Sequence, residues 1–242
     1  MPRPLFATTL LVLIGACAAR TPPPPPPSAG PPPAASVFSA PVPVARRAAP
    51  VPVPSCNARP ERAFAAQIPA GGLDPAILDR AILYHSNRAR CRAGLRPLGA
   101  DPALRAVATE HSRDMVRLGF FDHTSPVPGK TTMGDRLRLR GVPYRAAAEN
   151  LATAKRLQIE SGQPVYPLGQ GRCAYSLTPD GQRLPVRTYG SIAETLVTSW
   201  IDSPGHRRNL MNPDFSRHGA SGSIDPAGRL CETVNATQLF AG

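Results

Sequence analysis

The chain has 242 residues, 31 of them proline, and carries 28 Lys and Arg against 16 Asp and Glu, a formal charge of +12. That charge draws a protein towards anionic envelope polymers or lipid headgroups. Nucleic acid is set aside as a partner because the arginines are scattered, aromatic residues make up only 5% and no nucleic-acid-binding motif occurs.

Residues 1–16 read as a secretory signal. One early cation, Arg3, precedes an apolar run from Leu5 to Ile14 that is too short to cross a bilayer. The run ends Ile14-Gly15-Ala16-Cys17, which resembles a bacterial lipobox and implies that a lipidated Cys17 holds the mature protein to a membrane. The other reading is an ordinary signal cut near Ala18, which discards Cys17 and releases a secreted protein. Ala18 and Ala19, with no aspartate after the cysteine, point by resemblance to the outer membrane or periplasm. Residues 17–56 form a proline-rich tether, with an unbroken run from Pro22 to Pro27. Proline fixes φ and removes a donor, so the expectation is an extended spacer without helix or ladder, reaching roughly 100 Å at about 3.1 Å per residue. A lead-in covers 57–72, and 73–242, about 170 residues, suffices for one domain with one core.

Asp74-Pro75 is a cap followed by proline at the first helical position, and Ile77, Leu78, Ala81, Ile82 and His85 continue the stripe to about Ala93, before Gly94. Asp101-Pro102 repeats that start, with Leu104, Val107, Ala108, His111, Met115 and Leu118 on one face and Gly119 as the stop. A short helix is expected from Met133 to Arg140. Ser191 with Glu194 reads as a capping box opening a fourth helix, which buries Ile192, Leu196, Val197 and Trp200 and stops at Pro204. Strands are expected at Ser221 to Ile224 and Leu230 to Phe240, joined by Asp225-Pro226-Ala227-Gly228. A second hairpin, Tyr175 to Leu177 with Leu184 to Thr188, falls in the region 155–190.

Cys56, Cys91, Cys173 and Cys231 are an even set that permits two disulfides in an oxidising compartment. Of three pairings, Cys56 with Cys91 and Cys173 with Cys231 are favoured: the first clamps the tether to the first helix, the second pins the inserted hairpin to the last strand. No two cysteines have zinc-ligand spacing.

Six blocks occur in a telling order: Asn87-Arg88-Ala89-Arg90 with Gly94-Leu95-Arg96-Pro97-Leu98, Asp101-Pro102-Ala103-Leu104, His111-Ser112-Arg113-Asp114-Met115, Phe121-Asp122-His123-Thr124-Ser125-Pro126, Glu149-Asn150-Leu151-Ala152, and Trp200 through Asn209. In wording and order they resemble the CAP superfamily, also called SCP or PR-1-like, in its short bacterial form, from roughly Leu73 onward. The resemblance implies an α+β fold, an α-β-α sandwich with a central antiparallel sheet flanked by helices, to which 155–190 is an insertion. It also implies that His123, Glu149 and His206, each at the edge of a turn, line one groove. Two imidazoles and a carboxylate are a ligand set for Zn2+ or another divalent cation with water in the fourth place, or an acid and base pair. Larger family members carry a second glutamate where this chain has Ser203, so Asp202 would have to turn inward to complete the set. Asp122 is a further contributor or a loop cap, and His111 a core or supporting residue. A serine nucleophile has little support, since there is no Gly-x-Ser-x-Gly elbow and neither Ser125 nor Ser203 has a base partner in the motifs. Two functions stay open. One is a non-enzymatic, lipid-anchored protein that binds an envelope lipid, glycan or protein. The other is a divalent-metal-dependent hydrolase of an envelope polymer or peptide.

Overall fold

The computed structural model of the protein describes residues 38–39, 53–159, 162–169, 173–228 and 230–242. The signal 1–16, Cys17 and most of the 17–56 tether lie outside them. No helix among the described residues is long and apolar enough to cross a membrane.

The helices begin where their caps stand. Helix α1 (Pro75–Arg92) starts on the Asp74 carboxylate, which accepts from the N–H groups of Ala76 and Ile77 at 2.7 and 3.2 Å. Helix α2 (Pro102–Leu118) starts on Asp101 in the same way and ends at Gly119, whose φ of 68° is the left-handed conformation that glycine adopts without a Cβ clash. Helix α3 (Met133–Leu139) opens on a Thr132/Asp135 capping box, whose bonds hold the Asp135 carboxyl down at about 2. Helix α4 (Tyr189–Asp202) corrects the expected start: Thr188 is the cap, Ser191 is its capping-box partner, and Glu194 is an exposed residue one turn further on. The chain breaks at Ser203, and Pro204 begins helix α5 (Pro204–Leu210).

The sheet is built on three long strands: β3 (Ala146–Lys155), β6 (Arg217–Asp225) and β7 (Thr233–Ala241). Both neighbouring pairs are antiparallel, with Glu149 opposite Leu239, Asn150 opposite Gln238, and Ala220 also opposite Gln238. The C-terminal hairpin is therefore present, its first strand longer than expected and its second beginning later, at Thr233. Two short edges complete the order β1-β3-β7-β6-β2: β2 (Gly99–Ala100) runs parallel to β6, and β1 (Phe38–Ser39) runs antiparallel to β3. The sheet is thus mixed at one edge, and two residues of the segment read as a tether do join a ladder.

Alternation along the strands loads both faces. On one, Ala148, Ala152, Val234, Ala236 and Phe240 pack with Leu78 and Ile82 of α1 and Leu196 and Trp200 of α4. On the other, Ala147, Leu239 and Ala241 meet Leu104 and Val107 of α2 and Leu137 of α3. Small residues let the helices lie close. A Cβ on Gly219 would fall 2.2 Å from the Arg105 nitrogen of α2, so only glycine fits there.

The insertion is organised differently from the hairpin read in the sequence. Strand β5 (Tyr175–Ser176) pairs with β4 (Tyr166–Pro167), a segment too short and proline-bearing to signal itself. Of the expected partner strand, Leu184 donates to the Tyr175 carbonyl at 2.7 Å, while Val186 and Thr188 form isolated bridges with Leu157 and Gln67. Both favoured disulfides, Cys56–Cys91 and Cys173–Cys231, are formed.

Candidate functional site

Glu149 and Asn150 lie in the interior of β3, not at the edge of a turn. Successive strand residues point to opposite faces, so the pair sends a carboxylate towards α3 and an amide towards α5. Each is answered there.

On the α3 side, Arg136 Nη2 donates to Glu149 Oε1 and Oε2 at 2.9 and 2.7 Å, and both side chains are 3% exposed. The same guanidinium donates through Nη1 to the carbonyls of His123 and Lys130 at 3.1 and 3.2 Å. One arginine therefore fixes both the carboxylate and the loop that carries His123. His123 Nδ1 lies 2.9 Å from Glu149 Oε1. An ionised carboxylate only accepts, so Nδ1 is the protonated nitrogen and Nε2 is left for a ligand. With a side chain 42% exposed, His123 is the surface end of an otherwise buried cluster. Burial pushes the Glu149 carboxyl up, but the His123 bond and the Arg136 charge outweigh it and hold the group below the usual carboxylate range.

The loop is braced from beneath by His111 of α2, buried against Phe120. Its Nε2 donates to the Asp122 carbonyl at 3.1 Å, and its buried Nδ1 has no partner among the described residues. Burial lowers the His111 pKa, which favours the neutral ring. The Asp122 carboxylate accepts from the Thr124 N–H at 2.7 Å, which makes it a loop cap.

On the α5 side, Asn150 Nδ2 donates to the His206 carbonyl at 3.3 Å and to Gln238 Oε1 at 3.2 Å. Asn209 Nδ2 donates to Asn150 Oδ1 at 2.9 Å and to the Glu149 carbonyl at 3.3 Å. These bonds dock the short helix on the strand and set His206 half-buried near His123. Its pKa is lowered by burial and then by the His123 charge. Asp202, at the end of α4, is exposed and has no bond to these groups.

The arrangement does not fit a ready metal site. The ligand atoms of His123, Glu149 and His206 are not all within 4.8 Å of one another, and both Glu149 oxygens are taken by nitrogen donors. Sequence reasoning missed Arg136 and Asn209 as groups that aim the site. Arg136 falls within the helix expected from Met133 to Arg140, but nothing in the sequence signalled that its cation is buried.

A sheet between two helical layers, with a Glu-anchored histidine at one edge, defines a CAP-type α-β-α domain. The chain belongs to the CAP family, the cysteine-rich secretory protein family, whose profile matches residues 83–240. It is similar to the Bacillus subtilis (strain 168) protein YkwD, 29% identical over 150 residues, which are 60% of this chain and 44% of that protein. It is also similar to the B. subtilis membrane protein YlbC, 28% identical over 141 residues, 58% of this chain and 30% of that protein. The matched region thus spans less than half the length of either relative. Among solved structures, an extracellular SCP-domain protein of Bacillus anthracis str. Ames aligns at 26% identity and a TM-score of 0.46, covering 69% of this chain and 41% of its own. An outer surface protein of Borrelia burgdorferi aligns at 20% identity and a TM-score of 0.42, covering 69% and 90%.

Proposed function

We propose that the protein is an exported, non-enzymatic binding protein. A lipidated Cys17 holds it at the cell envelope, the 17–56 segment spaces it from the membrane, and His123 and His206 meet a lipid, glycan or protein of the envelope. The observation that carries this reading is the commitment of Glu149. A general base must reach water or substrate, whereas the Glu149 side chain is 3% exposed and its oxygens receive two bonds from Arg136 and one from His123. The carboxylate acts as an anchor that orients an imidazole. Export is supported by the signal-like N-terminus and by two disulfides, which persist in oxidising compartments. The +12 charge favours anionic partners.

Sedimentation of the oxidised protein with purified host envelopes, and with phosphatidylglycerol against phosphatidylcholine vesicles, tests the reading. The expected result is saturable envelope binding, weakened about ten-fold or more in His123→Ala/His206→Ala, with no release of soluble fragments. Binding unchanged by the double variant contradicts the assignment of the two histidines. Fragment release that a chelator stops and the double variant lacks supports the metal-dependent hydrolase instead.

A further inference from the structure

The insertion holds a second cluster of chemistry-bearing side chains, separate from His123. Oε2 of Glu232 lies 2.6 Å from the Cys173 sulfur and 2.9 Å from the Cys231 sulfur. The same oxygen accepts from Arg156 Nε at 3.1 Å, and Arg156 is itself tied to the Ile68 carbonyl at 3.0 Å, so the carboxylate is held in place. Joined as a disulfide, the two sulfurs carry no hydrogen and can donate nothing to that oxygen. Two thiols can donate to it, and two thiolates can share a cation with it. Cys173, Cys231 and Glu232 are the only His, Cys, Asp or Glu group among the described residues whose ligand atoms converge within 4.8 Å. A surface hollow of about 250 Å3, lined by Lys155, Leu230, Cys231 and Thr233, adjoins the cluster and has room for a water as fourth ligand.

We propose that reduction of Cys173–Cys231 converts this clamp into a Cys2Glu site for a thiophilic divalent cation of the Zn2+ class. A dithiol reductant supplies the two electrons. One of its thiolates attacks the Cys231 sulfur, which borders the hollow, breaking the S–S bond and forming a mixed disulfide. Its second thiol then closes the reductant's own disulfide and frees both cysteines. Binding of the cation releases the two thiol protons to solvent, and the carboxylate joins without a proton change. Fold and spacing are independent here: the cysteines are 58 residues apart and meet because the insertion packs against Leu230 and Cys231, just before β7.

The test uses the full chain, reduced with a dithiol, desalted without oxygen and titrated with Co2+. The expected result is a thiolate-to-cobalt charge-transfer band that saturates at one equivalent and is absent from the oxidised protein. Reduction also frees Cys56 and Cys91, so Cys56→Ser/Cys91→Ser should keep the band and Cys173→Ser/Cys231→Ser should lose it. Glu232→Gln leaves all thiols in place and should weaken Co2+ binding by at least about ten-fold. A reduced parent without the band, a band that survives loss of Cys173 and Cys231, or an affinity indifferent to Glu232→Gln overturns the proposal.

Discussion

Strand β3 and the segment that follows it are held by different means. At Glu149 and Asn150 the backbone is ladder-bonded within the sheet, and the side chains are answered by Arg136, His123, Asn209 and Gln238. Past Lys155 the long ladder stops. Among its described residues, the segment 156–190 is held by isolated bridges at Leu157 and Thr188, a two-residue strand pair, the Arg156–Glu232 ion pair, one disulfide and a small apolar cluster around Leu157, Ile159, Leu184 and Val186. The first mode spreads support over many neighbours and suits a site that must keep its geometry. The second concentrates support in a few staples, so losses there should stay local.

Breaking the sheet-held site should cost most. Arg136→Ala strands the buried Glu149 carboxylate, and a buried charge robbed of its partner costs roughly 3–5 kcal/mol. Urea denaturation should show that loss in a single transition. A loss below about 1 kcal/mol would mean that water already reaches the carboxylate.

Helix α1 sets against the same sheet a buried carboxyl that is less well answered. Burial pushes Asp79 up to about 7, against the Ala220 N–H and the more distant Arg105 charge. Unfolded, the group titrates near 3.8. Between those values the folded protein keeps a proton that the unfolded chain has released, so this group's contribution to stability falls as pH rises. His218, 3.6 Å away, acts in the opposite sense: burial holds it down at about 3 against 6.5, so its contribution rises with pH across that window. The two oppose one another where they overlap. Asp79→Asn, which keeps an acceptor for Ala220, should gain stability relative to the parent from about pH 4 to 7, by up to roughly 4 kcal/mol. Denaturation midpoints across that range measure it, and a constant difference between the proteins would refute the assignment.

In the stapled region, Cys173→Ser/Cys231→Ser removes a link that closes a long loop, worth roughly 2–4 kcal/mol. The expected signature is new proteolytic cutting within 156–190 with amide exchange of β3, β6 and β7 unchanged. Loss of protection in those strands would show that the insertion belongs to the central folding unit. Smallest of all is Arg80→Ala: its pair with Glu61 is 41% and 46% exposed, and the change should stay under about 1 kcal/mol in a thermal melt.

Legibility in the sequence follows the same division. Helices α1 and α2 were readable because Asp-Pro pairs and a 3.6-residue stripe act locally. The start of α4 lies at Thr188 because Thr188 and Ser191 exchange capping bonds, which makes Ser191 the partner and not the cap. Strand β3 gave no strand signal: Ala-Ala-Ala-Glu-Asn-Leu-Ala-Thr-Ala-Lys has neither β-branched enrichment nor alternation, because both of its faces are buried against helices. His123, Glu149 and His206 were readable through motif order, but the roles of Arg136 and Asn209 depend on which faces α3 and α5 present to β3, which tertiary packing decides. The hairpin at 175–188 forms only in part: Leu184 meets Tyr175, but the paired strand is Tyr166-Pro167, which proline demotes as a strand.

The central claim is that Glu149 is an anchor committed to Arg136 and that it orients His123 with Nε2 facing a ligand. Nitrogen-edited imidazole spectra of the 15N-labelled oxidised protein, with His123 assigned by its loss in His123→Ala, test that most directly. At a pH where the ring is neutral, the account predicts a proton on Nδ1, protected from exchange, and an unprotonated Nε2. A proton on Nε2, or a rapidly exchanging mixture of tautomers, would contradict it.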